Sequence, residues 1–276
     1  MIALALRIIL HSPLRYLVAL LGISVAAGLA FIQLGLYRGF KENASIVVDN
    51  TRGEIWVANE YTKNFDFPKI IGSQQYEKVR ATPGVAWAHP MLIVFAHWKF
   101  LEGERKGEET TVQVVGFEAE SGVGEPWNMV AGFPADLKGS GQISIDATMR
   151  ERLDGAMLGT LAEINGIRVR VAGLSDGIRS FQGNPMVFSD IETARSIGRL
   201  RPDDIHYLVV GVEQGAIVED VLGRLKQLQP TDHIGAYTKG EFSFKAQDYW
   251  LRSTGAGTAL ALAALMGLIV GIVVAG

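Results

Sequence analysis

Five histidines, His11, His89, His97, His206 and His233, are the side chains of this sequence best suited to proton transfer or metal ligation. None falls at the HExxH spacing that sets two imidazoles on one helix face for zinc. His89 and His97 stand beside Trp87 and Trp98 in a β-rich stretch, a setting that predicts packing rather than ligation. Glu102, Glu104, Glu108 and Glu109 interleave with Arg105 and Lys106 and read as a solvated hairpin tip. Asp146, Arg150, Glu151 and Arg152 read as exposed helix charges. A phosphate-cradling loop needs GxxxxGK[ST], and the sequence contains no Gly-Lys pair. Gly122-x-Gly124 has no helix pattern behind it, and Asn43-x-Ser45 is too short a glycosylation match to carry weight. The absence of cysteine excludes disulfides, thiolate metal sites and thiol catalysis. The expected sites are therefore catalytic none, cofactor-binding none and metal none.

The elements around these residues are more informative. Two uncharged apolar runs, 17–37 and 253–276, bracket the chain. Each is about 20 residues long, enough to cross roughly 30 Å of hydrocarbon at about 1.5 Å per residue. Residues 38–252 between them read as an ordinary folded domain. The first run is longer than the roughly 7–15 apolar residues of a signal peptide, so it reads as an anchor. Residues 1–16, apolar around Arg7 and broken at Pro13, read as an amphipathic segment lying on the membrane surface. The second run stops without a charged or aromatic flank, which suggests the front part of a longer protein with further spans to follow. A net charge of −3 gives no basic footprint, so no nucleic-acid partner is expected.

Within the second run, Ala259, Ala263, Gly267, Gly271 and Ala275 recur every four residues. Small side chains let helix backbones approach closely where lipid supplies no hydrophobic drive, so these five are candidates for helix packing. Arg15, Tyr249, Trp250 and Arg252 are candidate interfacial anchors, together with Phe242, Phe244 and Lys245, because aromatics and long cations suit the headgroup level. The positive count on the two sides of the first run is nearly balanced and leaves orientation open.

Between the runs, strand patterns at 54–58, 91–100, 110–117, 142–145, 161–164, 167–171, 186–188 and 206–212 alternate with helix patterns at 76–79, 147–153 and 217–228. Asn165-Gly166 is a strong hairpin signal, since both residues tolerate positive φ. Ser189 and Glu192 suggest a capping box for a helix after 188. The expected class is α+β: two transmembrane helices flanking a large mixed α/β extramembrane domain of two lobes, divided near 117–140. Residues 37–48 and 240–252 are candidate stalks.

Several motifs then fall in an order that resembles the MacB/FtsX-type ABC-transporter permeases, nearest the DevC-like branch. They are Ser12-Pro13-Leu14-Arg15 with Leu20-Leu21-Gly22-Ile23-Ser24, Gly53-Glu54-Ile55-Trp56-Val57, and Pro83-Gly84-Val85. Ile143-Ser144-Ile145-Asp146, Leu158-Gly159-Thr160-Leu161-Ala162-Glu163-Ile164-Asn165-Gly166 and Val169-Arg170-Val171-Ala172-Gly173 follow. The resemblance implies a bacterial inner-membrane permease subunit with a MacB-type periplasmic core domain, a cytoplasmic N-terminus and four spans, of which this chain holds two. It implies no enzyme activity in this chain, ATP hydrolysis in a separate ABC ATPase subunit, and a homodimer or heterodimer of permeases. A periplasmic adaptor protein, an outer-membrane channel and membrane lipid complete the implied partners. The alternative reading is the extracytoplasmic ligand-sensing domain of a membrane receptor. A polysaccharide chain-length regulator ranks last, because such domains lean on long helices.

Overall fold

The structure is a computed structural model that describes residues 13–228 and 233–275. The expected surface segment falls largely on residues 1–12 and so lies outside the described residues. The chain divides into two compact units, Asn43–Gln247 and a helical unit built from Met1–Glu42 with Asp248–Gly276.

Helix α1 (Pro13–Asn50) opens the described chain, its first turn seeded by a proline whose fixed φ suits a helix start. It continues unbroken through the expected span and the expected first stalk. The domain then builds β1 (Ile55–Asn59), α2 (Ser73–Arg80), β2 (Val85–Phe100), β3 (Glu109–Phe117), β4 (Met129–Ala131) and β5 (Gln142–Asp146). It continues with β6 (Leu161–Ile164), β7 (Ile167–Ser175), β8 (Met186–Asp190), α3 (Ile191–Gly198), β9 (Tyr207–Val212), α4 (Val218–Gln227), β10 (Ile234–Thr238) and α5 (Lys239–Asp248). In the helical unit, a π-turn at Tyr249–Ser253 precedes α6 (Ala256–Ala275).

The ten strands of the described residues join one sheet, in the order β10-β1-β9-β2-β3-β8-β5-β7-β4, with β6 pairing both β2 and β7. One end, β10-β1-β9-β2 with α2 and α4 as crossovers, has the fourth-first-third-second order of a split βαβ fold. At the other end the pairings β2-β3-β8-β5-β7-β6-β2 close on themselves into a six-stranded ring. Leu92, Trp98, Val112, Ile145, Ile164, Val171 and Val187 belong to the cluster that fills it, as small barrels require. The sixteen-residue β2 serves both ends: Val85–Met91 pairs β9, and Met91–Lys99 pairs β3.

β3 runs to Phe117 and pairs β8 in parallel up to Asp190, and Asn43–Gln247 is a single compact unit. The ring is an insertion between the second and third strands of the split βαβ arrangement. A linear scan for a linker does not reveal an insertion whose ends re-enter the same sheet.

Alternation along the strands sorts the core. Ile55 and Val57 of β1 face the side covered by Val79 of α2 and by Val221 and Leu225 of α4. Trp56 and Ala58 face the other side, where Val47 and Val48 of α1 meet Phe242 and Ala246 of α5. Gly116 in β3 is dictated by close approach: a Cβ there would stand 2.3 Å from Ala194 Cβ on α3. That helix is capped by Asp190, whose carboxylate accepts from the Glu192 amide, rather than by Ser189, which is fully buried at the end of β8.

Candidate functional site

Within the domain, residues 43–50 of α1 and helix α5 are rooted in the same core. Val47 and Val48 of α1 are buried in one cluster with Trp56, Phe65, Tyr207, Phe242 and Ala246. The Trp56 indole stacks on Phe242 at 5.3 Å and 17°, and meets Phe65 and Tyr207 edge-on at 6.0 and 5.8 Å. Such aromatic pairs contribute about 0.5–1.5 kcal/mol each beyond the area they bury. Polar ties add to them. Gln247 Nε2 on α5 donates to Ser45 Oγ on α1 at 2.8 Å, and Ser45 Oγ donates to Asp49 Oδ2 at 2.6 Å. Lys239 Nζ donates to the Thr51 carbonyl at 2.9 Å. Residues 43–51 and 239–247 thus form a clamp whose two arms cannot separate without opening the domain core.

The aromatic group before the second apolar run splits accordingly. Phe242 turns inward and is fully buried, while Phe244 is exposed. Lys245 lies against the Tyr237 ring at 4.3 Å and donates to its hydroxyl at 2.7 Å, so it serves the domain rather than a headgroup layer. Of the remaining candidates, Tyr249 packs edge-on against Trp250 at 5.4 Å, and Arg252 pairs with Asp248 at 3.1 Å. Arg15 lies in the first turn of the described part of α1.

In the helical unit, Gly267 is where α1 and α6 approach: a Cβ there would stand 3.7 Å from Leu29 Cβ. The half-buried positions of α6 around it include Leu260 and Ala264, whereas Ala259 and Ala263 are exposed. The reason is geometric. A strict four-residue ladder advances about 40° per step around a helix of 3.6 residues per turn, so it winds away from a straight neighbour. Gly271 and Ala275 continue α6, with their surroundings outside the described residues. Tyr16–Asn50 is the one helix long and apolar enough to cross a membrane among the described residues; the apolar stretch Ala256–Gly267 is shorter.

Among the described residues no three His, Asp or Glu side chains gather as a metal site would require. His89 does more than pack: its Nδ1 lies 2.5 Å from Glu118 Oε2, at the rim of a cleft of about 570 Å³ lined also by Glu120, Lys138 and Asp190. His233 pairs likewise with Glu60 at 2.5 Å, and His97 is exposed.

His206 is the buried one. Its Nδ1 accepts from the Ile93 amide at 3.0 Å, which requires the neutral ring, and burial lowers its pKa to about 4. The neighbouring Asp204 carboxyl is held below its usual value by hydrogen bonds from the Arg201 backbone and guanidinium. Because the folded His206 pKa lies below the unfolded value of about 6.5, the unfolded chain binds more protons in between. The domain should therefore lose stability as pH falls from about 6.5 toward about 4, and His206→Gln should flatten that slope. Melting curves of both proteins at half-unit pH steps check this; parallel curves would contradict it.

Asp146 is the residue whose role the sequence hid. It is buried at the end of β5, and its carboxylate accepts from Thr148 N at 3.0 Å, Ser175 Oγ at 3.1 Å and Ile178 N at 2.7 Å, with the Thr148 hydroxyl as a fourth donor. It is a structural knot joining β5, β7 and the loop after β7, not an exposed helix charge.

Comparisons with known proteins place this architecture. Residues 16–228 match the family model of the MacB-like periplasmic core domain. The periplasmic region of MacB from Actinobacillus actinomycetemcomitans superposes with a TM-score of 0.51 at 11% identity, covering 71% of this chain and 94% of that one. The extracellular domain of the noncanonic ABC-type transporter YknZ from Gram-positive bacteria gives 0.47 at 13% identity, covering 67% and 98%. No curated protein matches the sequence. The family match spans the inserted ring and the split βαβ half up to α4, and the chain belongs to the MacB-like periplasmic core domain family of ABC-type transporter permeases.

Proposed function

We propose that this chain is the membrane subunit of an ABC-type exporter or mechanotransmission complex. A separate ATPase subunit would drive it, and the periplasmic domain would carry the motion outward. The observation that supports this most directly is the clamp. Val47 and Val48 share one aromatic core with Phe242 and Ala246, so displacement of either root is displacement of the domain. In this reading α1 and α6 both span the inner membrane, the N-terminus is cytoplasmic, and Tyr249, Trp250, Arg252 and Arg15 sit at headgroup level. The exposed Ala259 and Ala263 are then free to pack against a helix of a second permease copy, and Gly271 and Ala275 extend that ladder. The domain engages an adaptor that leads to an outer-membrane channel, or the cargo itself.

The test uses the full-length gene product in membranes. An ABC ATPase should co-purify with it, and spin labels on the exposed Lys69 of paired copies should change separation when ATP is added. Failure of any ATPase to co-purify, or labels indifferent to ATP, would refute the proposal. The cleft beside His89 favours the receptor as the second reading, since a sensing domain needs a concave ligand site. A receptor would show neither ATPase partner nor ATP-dependent motion.

A further inference from the structure

Beneath the root of α1 lies a small cavity of about 10 Å³, lined by Asn43, Ala44, Val47, Asp66, Gln113 and Ser180 among others. That is close to the roughly 10–15 Å³ that one water requires. Its wall mixes apolar side chains, Phe65 and Met186 among them, with the polar groups of Asp66, Gln113 and Ser180. Gln113 is fully buried, its Nε2 donates to Asp66 Oδ1 at 2.8 Å, and its Oε1 has no hydrogen-bond partner among the described residues. A buried acceptor left without a donor is destabilising, so the site favours a group that can supply one.

We infer that the cavity binds one ordered water molecule, and that this water seats the first helix root on the domain. The inventory of groups is that of a water site. Gln113 Oε1 needs a donor, and the Asp66 carboxylate beside it has about four lone-pair positions to offer. Ser180 Oγ accepts from the Gln182 amide and keeps its own O–H to donate. One water donates to Gln113 and to Asp66 and accepts from Ser180, making the roughly three hydrogen bonds typical of buried water. The water, held by Gln113 of β3, Asp66 and Ser180 of the 180 loop, completes the floor on which Ala44 and Val47 of the helix root rest. In its mechanical consequence the inference rests on the proposed function; the water site itself does not.

A crystal structure of the full-length protein at about 2 Å or better tests it. The expected result is a density peak within hydrogen-bonding distance of Gln113 Oε1 and Ser180 Oγ. Ala44→Val, which fills the cavity with methyls, should remove the peak and lower the melting temperature by several degrees; Ala44→Ser, which brings its own hydroxyl, should remove the peak with a smaller loss. A site without density beside well-resolved surface waters, a peak with the anomalous signal or the short multiple oxygen contacts of a metal ion, or a higher melting temperature in Ala44→Val would each overturn the inference. None of these outcomes depends on an ATPase, so failure here is distinguishable from failure of the functional proposal.

Discussion

Trp56→Ala is expected to lower the stability of the domain by about 3–5 kcal/mol, the usual range for truncating a buried large aromatic. The indole is fully buried and touches Phe65, Tyr207 and Phe242, so the cavity would open at the centre of the cluster that holds both helix roots. Collapse is resisted because Phe65 and Tyr207 are already fixed: their rings stack at 5.4 Å, and the Tyr207 hydroxyl donates to the carbonyls of Asn64 and Phe65. Burial also raises the pKa of that phenol well above its usual value, so it remains a donor at any working pH. For a domain of this size, each kcal/mol moves the melting temperature by about 2–4 °C, so a fall of roughly 6–20 °C is expected. Trp56→Phe separates the causes. The indole Nε1 has no partner among the described residues, so phenylalanine discards an unpaired N–H while keeping a stacking face toward Phe242. Its loss should stay under about 1.5 kcal/mol. Thermal melting of the full chain, followed by near-UV circular dichroism, reads both. Equal losses in the two variants would show that the stack is not what joins the roots. If the clamp transmits motion as proposed, Trp56→Ala at a temperature where it is still folded should keep its ATPase partner but lose the ATP-dependent separation change.

How much of this was readable beforehand depends on whether a feature is local. The apolar first run, the Asn165-Gly166 turn with φ of 48° and 87°, and the alternation in β1, β2, β3, β7 and β9 follow from neighbours in sequence, and each is visible there. Strand β10 went unread because its pairing with β1 spans nearly 180 residues, and Gly235 and Thr238 dilute its apolar pattern. Strand β4 is three residues long and exists only as an edge on β7. Phe242 looked interfacial because it neighbours an apolar run. Its burial is decided by Trp56, which arrives from the far end of the domain. The segment 147–153 has a helical pattern but closes as a 3₁₀ turn, because Asp146 caps it at Thr148 and also reaches past it to Ser175 and Ile178. Beside Arg150, Glu151 and Arg152, a buried acceptor is indistinguishable from a surface charge until the partners are known.

That carboxylate supplies the second large effect. Asp146→Ala removes the acceptor of two donors in buried residues, the Ser175 hydroxyl and the Ile178 amide, and of the Thr148 amide at the start of the 3₁₀ turn. At about 1–3 kcal/mol for each of the two buried orphans and about 1 kcal/mol for the lost cap, the expected destabilisation is roughly 3–7 kcal/mol. The loss does not stay local. Arg179 Nε donates to Thr148 Oγ1 at 3.2 Å, so the loop carrying Ile178 and Arg179 is held to β5 from two directions, and Ile178 packs in the same cluster as Trp56. Water cannot easily repair the gap, because Ile178 and Ser175 are both essentially inaccessible. Asp146→Asn tests whether acceptor number or volume is responsible. It preserves shape but offers a single acceptor oxygen and turns an amide N–H₂ toward one of the donors, so it should recover less than half of the loss. Thr148→Ala, which leaves the Ser175 and Ile178 bonds intact, should cost no more than about 1 kcal/mol. Urea titrations of the four proteins should show a displaced midpoint at unchanged slope. If Asp146→Asn is as stable as the parent, the carboxylate fills space without organising the loop, and the knot joining β5 to β7 must be sought in their ladder alone.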